Sequence, residues 1–180
     1  MRVFTQFKEH WGLMMAADLR ALMAGLKAAG QADRLEAAEK LMQLAEDAAP
    51  AAAALALAAG DEDDEVREAA VGALEGLGAP AADLLGELTK ILHDAQADRA
   101  YWAATLLGRM EAAAAPAVPD LMQVLGPAAP LEVRQRAAWA LGQIGPAAAG
   151  ATQALKVAAE HRDPRLAELA RDALAAIAAK

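Results

Sequence analysis

The stretch LEVRQRAAWALGQIG (131–145) contains one apolar helix face followed by a stop signal. Val133, Ala137, Leu141 and Ile144 recur at the three- and four-residue intervals that place side chains on one side of an α-helix. Glycine and proline come next, and neither residue continues a helix well. The stretch therefore predicts an amphipathic helix that ends near residue 145.

The same pattern returns along the chain every 33 or 34 residues. A leucine marks each first helix, and a second leucine follows it fourteen positions later. The two series are Leu41, Leu74, Leu107, Leu141 and Leu174, and then Leu55, Leu88, Leu121 and Leu155. Each copy reads as helix, turn, helix, and neither helix can bury its apolar stripe without a neighbouring copy. We predict an all-α fold, a right-handed α-solenoid of helix-turn-helix repeats of about 33 residues.

The periodicity also divides the chain. We assign copies to residues 33–62, 63–96, 97–129 and 130–162, and a C-terminal half copy to 163–180, within a single domain. Residues 1–32 match the repeat poorly, and we interpret them as an N-terminal capping helix or a degenerate repeat. This segment predicts one long amphipathic helix over residues 6–29.

Local signals place several helix ends. Asp33, Asp64 and Asp163 stand where an N-cap side chain would accept backbone N–H groups. Gly145 stands where a first helix should stop.

The segments DDEVREAAVGALEGLG (63–78) and LEVRQRAAWALGQIG (131–145) resemble HEAT repeats of the short bacterial type, related to those of phycobilin lyase subunits. The resemblance spans residues 33–178. It implies first helices on the convex side, second helices on the concave side, and a scaffold or adaptor role. It also implies that Arg67 and Arg134 bridge to acidic residues of neighbouring repeats. Alanine replaces this arginine in the third and final copies, which would interrupt such a ladder.

Composition excludes several classes of function. The formal net charge of −8 disfavours a broad nucleic-acid interface, which requires a cationic surface. The chain has no cysteine and no serine, which removes thiolate and serine nucleophiles and cysteine zinc sites. No apolar run is long enough for a membrane span, and no secretory signal is visible, so we expect a cytoplasmic protein with no membrane contact.

The histidines give no metal-site pattern. His10, His93 and His161 are scattered and lack the spacing of a ligand set. The threonines have no visible base partner. We predict no catalytic residue, no metal and no cofactor.

Three aromatic residues are the first candidates for partner binding. Trp139 points about 150° away from the buried stripe of its helix, where a polar residue is expected. Trp102 aligns with Arg136, one turn before Trp139 on the adjacent first helix, and Tyr101 precedes it. Exposed aromatic clusters are typical of interfaces, including those of homodimers. The alternative is that the indoles fill gaps left by alanines, which we favour for Trp102, whereas we favour binding for Trp139.

The second helices offer another candidate surface. Seven polar residues project away from their core stripe and would line a concave groove of mixed charge: Asp83, Glu87, Lys90, Asp120, Gln123, Gln153 and Lys156. The alternative is a solvated face without a ligand. Repeat solenoids typically bind partners on such extended surfaces.

The sequence therefore predicts a non-catalytic scaffold or adaptor that binds a protein partner, in an oligomeric state that it leaves open. An enzyme-associated subunit that holds a small molecule, similar to the tetrapyrrole lyases, is the alternative. A DNA-repair solenoid is a weaker alternative because of the negative charge.

Overall fold

A computed structural model describes residues 18–179 of this protein. Every regular element in that range is helical, which confirms the predicted all-α fold. The chain divides into two compact units, Met1–Leu77 and Gly78–Lys180. The division falls between the two helices of the predicted copy 63–96, and the single domain stays a prediction. The handedness of the repeat also stays a prediction.

The first unit contains helical residues 18–25 and then one repeat and the first helix of the next. Its further elements are α1 (Gln31–Leu44), a 3₁₀ segment (Ala45–Ala51), α2 (Ala52–Ala58) and α3 (Asp64–Gly76). The first helices α1 and α3 pack side by side. Part of the helix predicted for 6–29 lies outside the described residues, and the described part ends in a turn at 26–27.

The second unit repeats the same order. Its elements are a 3₁₀ turn (Ala82–Leu84), α4 (Leu85–Ile91), α5 (Ala97–Arg109), a 3₁₀ segment (Glu111–Ala117), α6 (Val118–Val124), α7 (Leu131–Ile144), a 3₁₀ segment (Gly145–Ala151), α8 (Thr152–Ala159) and α9 (Pro164–Ala178). The first helices α5, α7 and α9 pack consecutively against one another, and the second helices α4, α6 and α8 pack behind them.

The core consists of the two predicted leucine series set among alanines. The buried members have no exposed surface: Leu41, Leu55, Leu74, Leu88, Leu107, Leu121, Leu141 and Leu155. Leu174, in α9, is partly exposed. Alanine is also fully buried in the middle of each seven-residue 3₁₀ segment, at Ala48, Ala114 and Ala148. Side chains this small allow consecutive helices to approach closely.

The helix caps follow the sequence in part. The Asp163 carboxylate accepts the backbone N–H of Leu166 at 2.8 Å, which confirms it as an N-cap. The prediction for Asp64 is wrong by one residue, because Asp63 caps α3. Asp33 lies in the first turn of α1, whose N-cap is a glycine without a capping side chain.

An arginine–aspartate bridge ties the first unit together. Arg34 is 8 % exposed, and its Nε and Nη2 both donate to the Asp61 carboxylate at 2.9 Å. Arg34 stands one repeat before Arg67, but Asp61 lies in the same copy, 33–62, so this bridge is not the contact between repeats that the HEAT resemblance implies. Arg134 instead donates to the carbonyl of Leu125 and faces His161, so no such bridge forms there.

Candidate functional site

An open recess of about 270 Å³ lies between the first helices of the second unit. Side chains from α5, α7 and α9 line it. We call it the Arg136 recess, and its lining residues are Tyr101, Gln135, Arg136, Trp139, Arg165 and Leu169.

Two aromatic rings hold the Arg136 guanidinium. Its Cζ lies 4.4 Å from the ring centroid of Tyr101 and 5.1 Å from that of Trp139. Arg136 also donates a hydrogen bond to the Tyr101 hydroxyl. A guanidinium is attracted to the negative face of an aromatic ring, so these contacts hold the cation close to both rings.

Trp102 packs against the Tyr101 ring of this cluster. It is 9 % exposed, and its ring meets that of Tyr101 edge to face, with centroids 5.7 Å apart. The indole therefore fills a space in the alanine-rich core, which is the alternative that we favoured for Trp102. Tyr101 and Trp139 are partly exposed and line the recess.

Trp139 lies over a glycine of the preceding first helix. A Cβ atom added to Gly108 would overlap Cζ3 of Trp139, and it would stand 3.0 Å from Cα of Ala140. The absence of a side chain at Gly108 thus lets α7 approach α5 and gives the indole its place at the edge of the recess.

The lining carries positive charge without a carboxylate. Arg165 is exposed, and neither it nor Arg136 forms an ion pair within the described part of the chain. Gln135 donates to Asp163 at 2.9 Å behind the recess. The hydrogen bond from the Leu166 N–H, and then that from Gln135, lower the pKa of Asp163 below its ordinary value.

Four further lining residues were not predicted as site residues: Gln135, Arg136, Arg165 and Leu169. The repeat register contains the signal that finds two of them. Trp102, Arg136 and Leu169 occupy equivalent positions in three consecutive copies, so they form a row across adjacent first helices. Arg165 lies one turn before Leu169 on α9.

The predicted surface on the second helices is polar. Six of its seven residues are exposed: Asp83, Glu87, Lys90, Gln123, Gln153 and Lys156. Asp120 is partly exposed, and its carboxylate lies 2.8 Å from Nε2 of His93. A ligand on this surface stays a prediction.

The histidines serve local contacts. His161 accepts the N–H of Asp163 through Nδ1 at 3.1 Å, and His10 lies outside the described residues. Within residues 18–179, no group of three or more His, Asp or Glu side chains could hold a metal ion. No helix in that range is long and apolar enough to cross a membrane.

Neither a family model nor a curated protein matches this sequence. Solved structures do match its fold. A designed armadillo repeat protein in complex with the peptide (KR)4 is 22 % identical, with a TM-score of 0.64, over 93 % of this chain and 84 % of that one. An engineered protein is 23 % identical, with a TM-score of 0.62, over 89 % and 79 % of the two chains.

Computationally designed armadillo repeat proteins for modular peptide recognition are also similar, at 21 % identity and a TM-score of 0.59, over 88 % of this chain and 82 % of theirs. At these identities the likeness concerns the fold. The chain therefore has the fold of helical-repeat proteins of the α-solenoid class.

Proposed function

We propose that this chain is a non-catalytic scaffold that binds a protein partner at the Arg136 recess. The observation that carries the proposal is the Arg136 guanidinium, which lines the cavity and contacts both Tyr101 and Trp139. Arginine, tyrosine and tryptophan are the residues most enriched at the energetic centres of protein interfaces. A rigid cluster of them binds with little loss of side-chain entropy.

The similar structures support a binding role. Two of those described above are named for peptide binding or peptide recognition. Assignment to the HEAT type and a cytoplasmic location are finer proposals, which rest on the sequence patterns at 63–78 and 131–145 and on its composition.

The recess is less suited to the other candidate functions. A small-molecule site is usually an enclosed pocket with mostly apolar walls. Of the six residues that line the recess, only Trp139 and Leu169 are mainly apolar, and the other four have polar side chains. The cavity also opens between surface helices. A DNA-binding surface needs many cations, and the recess provides two in a chain of net charge −8.

The test is affinity capture from a lysate of the source organism, with Trp139→Ala compared with wild type. Val157→Ala is the matched control, because Val157 is a 68 % exposed apolar residue on α8, a second helix. We expect wild type and Val157→Ala to retain the same protein. With that protein purified, Trp139→Ala should bind it about 30-fold more weakly.

Circular dichroism must show that the Trp139→Ala variant is folded. Undiminished binding by the folded variant would overturn the proposal. Loss of binding in an Asp83→Ala/Glu87→Ala variant would then assign the site to the second-helix surface.

A further inference from the structure

We propose that the partner segment in the Arg136 recess is an acidic peptide that places a carboxylate against Arg136 and Arg165 and an apolar side chain beside Trp139. This inference rests on the proposed function and adds the chemistry of the partner. The occupant is an extended segment of another protein.

The donors for a carboxylate are already in place. A guanidinium has five N–H groups in one plane, and Arg136 directs one of them to the Tyr101 hydroxyl. Within residues 18–179 the other N–H groups of this guanidinium form no hydrogen bond, so they are available to a ligand. A planar fork of this kind matches the two oxygens of a carboxylate.

The charge of the recess is the reverse of that of the chain. The chain has 25 acidic and 17 basic residues, and several of its arginines contact a carboxylate, as Arg34 does with Asp61. Arg136 and Arg165 lie on consecutive first helices and have no such partner among residues 18–179. Two unpaired cations that line one cavity favour an anionic ligand.

An apolar position continues from the same cavity. On the other side of Trp139 and Leu169 lies a second cavity of about 310 Å³, where Gly142, Ala173 and Ala176 form part of the wall. A peptide that crosses Trp139 would therefore meet cations on one side of the indole. On the other side it would meet small residues together with Gln143 and Asp172, where an uncharged side chain is favoured over a second carboxylate. This pattern fits an acidic residue followed by a leucine-like residue.

A nucleic acid offers anions as well, but the surroundings disfavour it. Asp172 lines the second cavity and would repel a phosphate backbone. Two arginines also provide too few phosphate contacts to hold a polyanion on a protein of net charge −8.

The experiment is a fluorescence titration with three labelled octapeptides: alternating Asp-Leu, its neutral Asn-Leu counterpart, and alternating Lys-Arg. The proteins are wild type, Arg136→Gln, Arg165→Gln and the control Arg162→Gln. Arg162 is exposed, has the same charge, and is not part of the recess lining. Intrinsic tryptophan emission, to which Trp11 and Trp102 also contribute, provides a second readout.

We expect saturable binding of the Asp-Leu peptide by wild type and about tenfold weaker binding of the Asn-Leu peptide. Arg136→Gln and Arg165→Gln should each weaken the Asp-Leu complex by about tenfold, with Arg162→Gln unchanged. Arg165 is exposed, so its substitution tests the proposal even if Arg136→Gln displaces Trp139.

Equal affinity for the acidic and neutral peptides, or preference for the Lys-Arg peptide, would overturn the inference. So would an equal loss in Arg162→Gln, absence of binding at millimolar peptide, or tighter binding of a single-stranded DNA octamer through the same arginines. If a captured partner loses affinity for the Trp139→Ala variant but not for Arg136→Gln or Arg165→Gln, the proposed function stands and the proposal of an acidic peptide is wrong. If no captured partner needs Trp139, the proposed function itself fails.

Discussion

Gly108 and Gly142 occupy equivalent positions in α5 and α7, and each lies against an alanine of the next first helix. A Cβ at Gly142 would stand 3.1 Å from Cα of Ala173, as one at Gly108 would stand 3.0 Å from Cα of Ala140. Backbone atoms cannot yield as a flexible side chain does, so these glycines set the separation of consecutive helices. At Gly108 the same close contact also positions Trp139.

We expect Gly108→Ala to lower the free energy of unfolding by about 1–3 kcal/mol, because the added methyl group overlaps the indole and the α7 backbone. Trp139 should move, with a shift in the fluorescence maximum of the protein. Gly86→Ala is the matched control in α4, where the new Cβ meets nothing within 4 Å.

The control should gain up to about 1 kcal/mol from the better helix propensity of alanine. Denaturant unfolding of both variants makes the comparison. Equal stabilities for the two variants would show that the close approach at Gly108 does not constrain the fold.

Three of the four junctions between a first helix and its 3₁₀ segment have an unusual backbone conformation, and the junction at Gly78 does not. Ala45, Glu111 and Gly145 stand at equivalent positions and have φ angles of 48°, 50° and 66°. Residues with a side chain adopt positive φ at a cost of about 1–2 kcal/mol, whereas glycine adopts it freely. Gly145 therefore suits the turn, and the other two residues are strained there.

We expect Glu111→Gly to raise the free energy of unfolding by about 0.5–1 kcal/mol, since relief of strain exceeds the extra entropy that glycine loses on folding. Glu111→Ala is the control, because it removes the same side chain and keeps the strain. Thermal unfolding followed by circular dichroism measures both. A glycine variant no more stable than the alanine variant would contradict the assignment of strain to this turn.

In the molecule as a whole, carboxylates hold the loops that precede first helices in both units. Burial of Asp61 works to raise its pKa, but the hydrogen bonds from Arg34 and from the N–H of Asp63 lower that pKa below its ordinary value. Asp163 has a lowered pKa for the reasons given above. A lowered pKa in the folded state means that folding favours the ionised carboxylate.

The lowered pKa values determine how the stability of the fold depends on pH. The stability from Asp61 and Asp163 is present above the pKa of an unfolded aspartate, about 3.9, and is lost as the pH falls through the lower folded values. We expect the melting temperature to fall between pH 5 and pH 3. The decrease should be smaller in Asp61→Asn/Asp163→Asn, which has lost these contributions at every pH.

Asp47→Asn/Asp83→Asn is the matched control, because it removes two exposed carboxylates, one from each unit. Circular dichroism melts from pH 7 to pH 3 provide the comparison. If the melting temperature of Asp61→Asn/Asp163→Asn falls as much at acid pH as that of the control, these two residues do not have the role proposed for them.

The sequence by itself determined the fold class, the repeat and most of the core. The reason is that a leucine recurring every 33 or 34 residues, with alanine four positions before it, can be buried only by stacking helices. The sequence also located the N-cap at Asp163, which directly precedes a proline. At the start of α3 it offers two adjacent aspartates, Asp63 and Asp64, and only the backbone conformation selects between them.

The tertiary structure decided the candidate site. Helical periodicity gives the direction of a side chain from its own helix, but not the space that the next helix leaves for it. Trp102 enters a gap among alanines and is buried, while Trp139 lies on Gly108 and remains partly exposed. The position of Arg136 against two rings depends on how closely α5 and α7 approach, and that distance is set by packing between helices, which sequence spacing does not specify.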